Sequence, residues 1–270
     1  MSDLTRYKGD FLKFADNELE VFDPSIKQKM IEIDSLDLVL SCDVGIFESP
    51  TNEVMILIDT ETPEDFNVSK KGSVAHITQK SSNSDNVTFS GSGRGVTVSG
   101  GQNVSIINGV VYVNGVEIRE GQSTSNVSTK KSRVKIFAPH NIRLDARLSG
   151  VSVMASKVIF SKASVKISGQ STVGLAAKSV KLSLSGQGDS FLVLKGGAVT
   201  ASVSGQGSVK IKGDYDSADL SVSGMGSIQT MGTCYDDYDA SVSGMGSIVN
   251  SGTIKGRKNK SVSGMGSISL

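Results

Sequence analysis

Ser221-Val-Ser-Gly-Met-Gly-Ser-Ile228 recurs as Ser241–Ile248 and again as Ser261–Ile268, each copy 20 residues after the last. Looser copies precede it at Ser202-Val-Ser-Gly-Gln-Gly-Ser-Val209, Ser183-Leu-Ser-Gly-Gln-Gly-Asp189 and Lys166-Ile-Ser-Gly-Gln-Ser171. With Gly150 the marker glycines become Gly150, Gly169, Gly186, Gly205, Gly224, Gly244 and Gly264. A period near 20 residues marks a solenoid, and helical solenoids need longer repeats. The leucine-rich pattern is absent, and runs such as Ser208-Val-Lys-Ile-Lys212 alternate with period two, the signature of a strand. The fold read from these residues is all-β, a parallel β-solenoid (β-helix) with 19 to 20 residues per coil.

The composition agrees. In 270 residues there are 30 Gly, 9 Phe, 5 Tyr and no Trp, and only 37% of the chain is apolar. Stacked Val222, Val242 and Val262, with Ile228, Ile248 and Ile268, fill a core without large aromatics. Glycine on both sides of Met225 or Gln206 suits a tight corner. No proline follows Pro139, as expected where each backbone N–H is needed by the next coil.

Upstream, apolar runs at Glu18–Phe22, Leu36–Ser41, Val54–Asp59 and Val74–Thr78 read as less regular strands bounded by Asp, Pro and Asn. Residues 81–133 are rich in Gly, Ser and Asn, and within them Asn108-Gly109 and Asn114-Gly115 are hairpin signals between strand formers. The sequence thus divides into an acidic N-terminal β region (1–80), an insertion with a β-hairpin (81–133) and the repetitive solenoid (134–270).

Val134-Lys-Ile-Phe-Ala-Pro139 followed by Ser-Gly-x-Gly-Ser coils, with the earlier Leu36-Asp-Leu-Val-Leu-Ser41 and Glu53-Val-Met-Ile-Leu-Ile58, resembles the auto-transporter adhesin, or head GIN, family of β-solenoid proteins. The resemblance spans most of residues 30–270. It implies a β-solenoid and carries over no catalytic residue. Members of that family resemble exported proteins, whereas Met1–Asp10 is polar and lacks the apolar stretch of a secretory signal. Synthesis in the cytoplasm is the expectation, with association to a cell surface or a virion left open. Ile107-Asn-Gly-Val-Val-Tyr-Val-Asn-Gly115 is similar to segments of phage and bacterial proteins, which adds a particle component to the expected settings. No apolar run is long enough to span a membrane as a helix.

The formal charge of +1 hides an asymmetry. Residues 1–66 carry 16 acids and 5 bases, and residues 119–212 carry 15 bases and 3 acids. A basic block of this kind fits a polyanion, or an acidic surface of the same or another chain. The aromatic platforms that single-stranded nucleic acid needs are missing, which argues against nucleic acid as partner.

Chemistry is scarce. Two cysteines, Cys42 and Cys234, and two histidines, His76 and His140, form no triad or zinc spacing, so no catalytic residue, cofactor or metal ligand is assigned. Period-20 alignment sets Asp216 beside Asp236, Asp219 beside Asp239, and Asp237 beside Arg257. This reads as a cross-coil charge ladder in preference to a calcium site. Met225, Met245 and Met265 align as well. Strand alternation turns them outward with Ser221, Ser241 and Ser261 as a contact stripe, while a flip at the Gly-flanked corner would bury them. The final coil, with Ile268 and Leu270, offers strand edges for stacking on another copy.

Three readings follow. The first is a non-enzymatic structural or adhesion-type protein that self-associates or presents a rigid surface to a protein partner. The second is a carbohydrate-binding or carbohydrate-active β-helix using the aspartates near Tyr215, Tyr235 and Tyr238. The third is a polyanion-binding module using the basic block.

Overall fold

The computed structural model describes residues 23–80 and 132–270, together with five short strands between them. It is a β-solenoid of about seven turns. The first six strands are β1 (Ile26–Met30), β2 (Ser35–Leu40), β3 (Asp43–Glu48), β4 (Val54–Asp59), β5 (Phe66–Lys71) and β6 (Val74–Gln79). Their alternation of buried and outward residues is visible in β2, where Leu36, Leu38 and Leu40 are buried and the residues between them are not. The apolar run at Glu18–Phe22 lies outside the described residues.

Residues 80–131 form a unit of their own. Its described strands are β7 (Val87–Phe89), β8 (Val96–Val98), β9 (Val104–Ile107), β10 (Val110–Val113) and β11 (Val116–Ile118). β7 pairs with β8, and β9, β10 and β11 form an antiparallel meander. The two Asn-Gly pairs lie between the paired strands of the meander and outside the described residues.

The chain re-enters the stack with β12 (Arg133–Ala138) and β13 (Arg143–Leu148), then β14 (Val151–Ile167) and β15 (Gln170–Leu184). The regular coils follow as β16 (Asp189–Lys195), β17 (Ala198–Val203), β18 (Ser208–Asp214), β19 (Ser217–Val222), β20 (Ser227–Met231) and β21 (Thr233–Cys234). The last are β22 (Tyr238–Val242), β23 (Ser247–Asn250), β24 (Thr253–Ile254), β25 (Lys258–Val262) and β26 (Ser267–Ser269).

The register is parallel and nearly unbroken on two flanks. On the first, the ladder runs β6, β2, β13, the second halves of β14 and β15, β17, β19, β22 and β25. On the second it runs β12, β3, the first halves of β14 and β15, β16, β18, β20, β23 and β26. The N-terminal strands are therefore rungs of the same stack. β2 sits between β6 and β13, so chain order and stacking order differ here. The stack begins with antiparallel strands, β5 on β6 and β1 on β4, and exposed Lys27, Lys29, Lys70 and Lys71 lie along them. Lysines on an edge strand discourage pairing with a further chain.

Inside, identical residues meet. Val203, Val222, Val242 and Val262 are register partners, as are Val209, Ile228, Ile248 and Ile268. All are buried except in the last coil, where Val262 is 46% exposed and Ile268 is half-buried. Where residues 80–131 leave and return, both ends are tied down. Gln79 accepts from the Ser41 N–H at 3.0 Å, Ser132 and Thr60 share a hydroxyl hydrogen bond at 2.8 Å, and Arg133 pairs with buried Asp59 at 2.8 Å.

The corners set the coil spacing. At Gly205 a Cβ would run into the Gly186 carbonyl oxygen of the coil below, an oxygen that already accepts from the Gln206 N–H at 3.2 Å. Gly205→Ala should lower stability by about 2–3 kcal/mol, the cost of overpacking against rigid backbone. Ser223→Ala, at an exposed position of the next coil, should stay within about 0.5 kcal/mol. Urea midpoints test this, and equal midpoints for the two variants would contradict the corner argument.

Candidate interaction surface

The corner that carries the methionines is built by backbone hydrogen bonds between coils. Met225 N–H donates to the Gly205 carbonyl and Met245 N–H to that of Gly224, both at 3.1 Å. One residue pair further on, Ser227, Ser247 and Ser267 donate to Gly207, Gly226 and Gly246 at 3.0–3.1 Å. The same column begins with Gln170, Gln187 and Gln206, whose side-chain amides donate one to the next at 3.2 and 3.4 Å. It continues as Met225, Met245 and Met265, which are 52%, 56% and 82% exposed. The methionines thus face solvent, and the inward flip that the glycines also allowed does not occur. Ser221, Ser241 and Ser261 are register partners on the first flank and point outward. Ile268 and Leu270 are partly buried against the core.

The charged positions divide. Arg257 grips Asp237 with two bonds, Nε to Oδ1 at 3.0 Å and Nη2 to Oδ2 at 2.6 Å. Those hydrogen bonds hold the Asp237 carboxyl below the usual carboxylate range and raise Arg257. Asp216 and Asp236 are neighbours on successive coils through an Asp236 N–H to Asp216 carbonyl bond of 2.7 Å, and neither joins the Arg257 pair. Asp219 and Asp239 are register partners, and Asp239 accepts from the Asn259 amide at 2.7 Å. Among the described residues no three His, Cys, Asp or Glu side chains converge as metal ligands.

The aromatic residues near these aspartates do not form a cleft. Tyr215 and Tyr238 are fully buried, and Tyr235 stays outside with the Lys255 ammonium 4.4 Å from its ring centre. Tyr238 crosses the core from the first flank and shares a hydrogen bond with Thr230 at 2.8 Å, while Thr230 donates to Asn250 at 2.8 Å. The Tyr215 hydroxyl faces Thr230 and, among the described residues, reaches hydrogen-bond geometry with no group. Sequence reading missed this polar knot. Its one signal is the inward column Leu192, Ile211, Thr230, Asn250, which turns from aliphatic to polar.

The cysteines and histidines make contacts within the stack. Cys42 and Cys234 are buried thiols, and burial pushes Cys234 above the ordinary thiol value, away from reactivity. His140 Nδ1 accepts from the Ile159 N–H at 3.0 Å, so the proton sits on Nε2, 3.2 Å from Glu48. His76 Nδ1 lies 2.9 Å from Asp37.

The model of the putative auto-transporter adhesin, head GIN domain family matches residues 76–270. The chain belongs to that family. Among solved structures, this head GIN chain is similar to a putative adhesin from Bacteroides fragilis, at 15% identity and a TM-score of 0.53, with 90% of this chain and 95% of that one covered. A putative adhesin from Parabacteroides distasonis gives 16% identity and a TM-score of 0.51 over the same shares. At such identities the likeness shows the fold. No curated protein matches the chain. No helix among the described residues is long and apolar enough to cross a membrane. The particle-associated setting draws no support from these relatives.

Burial pushes the Tyr215 hydroxyl up to about 12 and raises Tyr238 as well. A raised folded-state value gives stability that is complete below the ordinary tyrosine value of 10.0 and is lost as pH climbs through about 12. Urea stability should therefore fall across that window, and the Tyr215→Phe/Tyr238→Phe double variant should lose much of the slope. An unchanged slope in the double variant would place both hydroxyls in water.

Proposed function

We propose that this head GIN chain is a non-catalytic, adhesin-type module. It presents the corner column of Met225, Met245 and Met265, flanked by serines, to a macromolecular partner at a surface. The carrying observation is that three unbranched thioether side chains stand exposed on successive coils at one corner, on backbone fixed by coil-to-coil hydrogen bonds. Methionine adapts its shape to a partner, so a rigid column of them gives a fixed position with a pliable contact. The structural neighbours described as putative adhesins support a surface setting. The inward Tyr215 and Tyr238, and the Asp237–Arg257 pair, weigh against a glycan-cleaving site, because the aspartates lack an aromatic cleft to hold a sugar beside them.

Beads coated with the whole chain test this on a panel of surfaces comprising matrix protein, acidic polysaccharide and bacterial envelope. Retention on at least one of them should fall about tenfold for Met225→Ser/Met245→Ser/Met265→Ser, the loss of roughly 1.4 kcal/mol of contact energy. Retention unaffected by the triple variant on every surface would overturn the reading. So would glycan cleavage that disappears in Asp216→Asn/Asp236→Asn.

A further inference from the structure

Among the described residues, the outward side chains of the first flank carry a charge pattern that is paired only in part, Asp239 acting on the nearby cation Arg257. Arg143 is the register partner of Lys162, and Arg147 of Lys166. Lys181 follows one coil later, as partner of Ser164. On the far side of the same flank Asp219 is the partner of Asp239. Like charges directly opposite on neighbouring strands are destabilising. Among the described residues no acid pairs with Arg143, Lys162, Lys166 or Lys181, and no base pairs with Asp219. Arg147 has only the Asp145 carboxylate at 3.8 Å. Between the two blocks lies a neutral rung, Ala198, Thr200 and Ser202, of small side chains. Counted from the Lys162–Lys166 rung, therefore, the face reads positive, positive, neutral, negative, negative, and the rung before it carries Arg143 and Arg147 on either side of Asp145.

That order is complementary to itself. We propose that this flank is a two-fold contact between two copies of the chain, with the axis passing through Thr200. Lys181 and Asp219 are the register partners of Thr200 on either side, so each lies one coil, about 4.8 Å, from the axis. The rotation sets Lys181 of each copy on Asp219 of the other. Two coils out, the position of Ser164 falls on Asp239, which places Lys162 and Lys166 on either side of that carboxylate. One set of residues thus serves both copies, as an isologous interface requires. The small central side chains let the two strand faces approach closely.

Charge also separates this partner from a polyanion. A polyanion gains from the lysines but meets Asp219 and Asp239 within four coils on the same plane. The outward positions of these five coils also offer no aromatic ring for a sugar or base to stack on. Five coils by five residues make a patch of about 400 Å² per copy, half of what a stable complex presents. The contact is accordingly weak, steered by charge and weakened by salt. It uses a different column from the methionines and does not depend on the reading given for them.

Sedimentation equilibrium of the full chain, at low salt and at about 0.5 M salt, reads the dimer constant directly. The expected result is a monomer–dimer equilibrium that weakens about tenfold or more at the higher salt. Lys181→Asp and Asp219→Lys should each weaken the low-salt dimer by a similar factor. Together in one chain they should restore it to within about threefold, because the swapped pair forms between copies. Both positions point to solvent, and unchanged circular dichroism confirms that the variants fold. A chain that stays monomeric at all concentrations overturns the proposal. So does a double variant weaker than either single one. An Asp219→Lys chain that shows no loss of dimer yet binds heparin more tightly would identify a polyanion surface instead.

Discussion

Everything regular in this molecule depends on a close approach of backbone to backbone at the glycine corners. Each corner carbonyl accepts from the coil above it, and the glycine that follows leaves no room for a Cβ. The coil spacing is thereby fixed by peptide geometry and does not depend on what fills the core. The core can then be filled by repetition, with valine on valine and isoleucine on isoleucine, and needs few aromatic rings to reach normal density. The same constraint acts on the outside. Whatever residue stands at a given place in one coil meets its counterpart about 4.8 Å away in the next, so the surface is written in columns.

Columns explain how a chain with so little chemistry can still be specific. A glutamine column bonds to itself, an arginine finds an aspartate 20 residues earlier, and three methionines line one corner. Where a column gathers like charges, repulsion accumulates along the stack unless something outside the chain relieves it. The knot of Thr230, Tyr238 and Asn250 is the inward equivalent. A polar column inside the core is tolerated because its members bond to one another, while the neighbouring Tyr215 hydroxyl is left over.

Sequence periodicity disclosed the solenoid, the inward valine and isoleucine ladders, and the pairing of Asp237 with Arg257, because each follows from one residue meeting another a single coil away. Three things were not legible, each for a physical reason. The strand alternation and the glycine-flanked corner gave opposite answers for Met225, and the observed exposure of its side chain decides between them. β2 pairs with β13 and β6 across more than 100 and nearly 40 residues, and no repeat marks that register. Tyr215 and Tyr238 stand in an acidic stretch that reads as exposed, yet a coil too short in aliphatic residues draws both rings inward.

The most direct test of the account is the coil register itself. Nitroxide labels placed through Ser221→Cys and Ser241→Cys should be register partners about 4.8 Å apart at the backbone, while Ser221→Cys with Ser261→Cys doubles that separation. Native Cys42 and Cys234 are buried and so shielded from the label. Strong spin–spin broadening is expected for the first pair and clearly weaker broadening for the second. Spectra for both pairs that equal the sum of their single-label spectra would contradict an in-register stack.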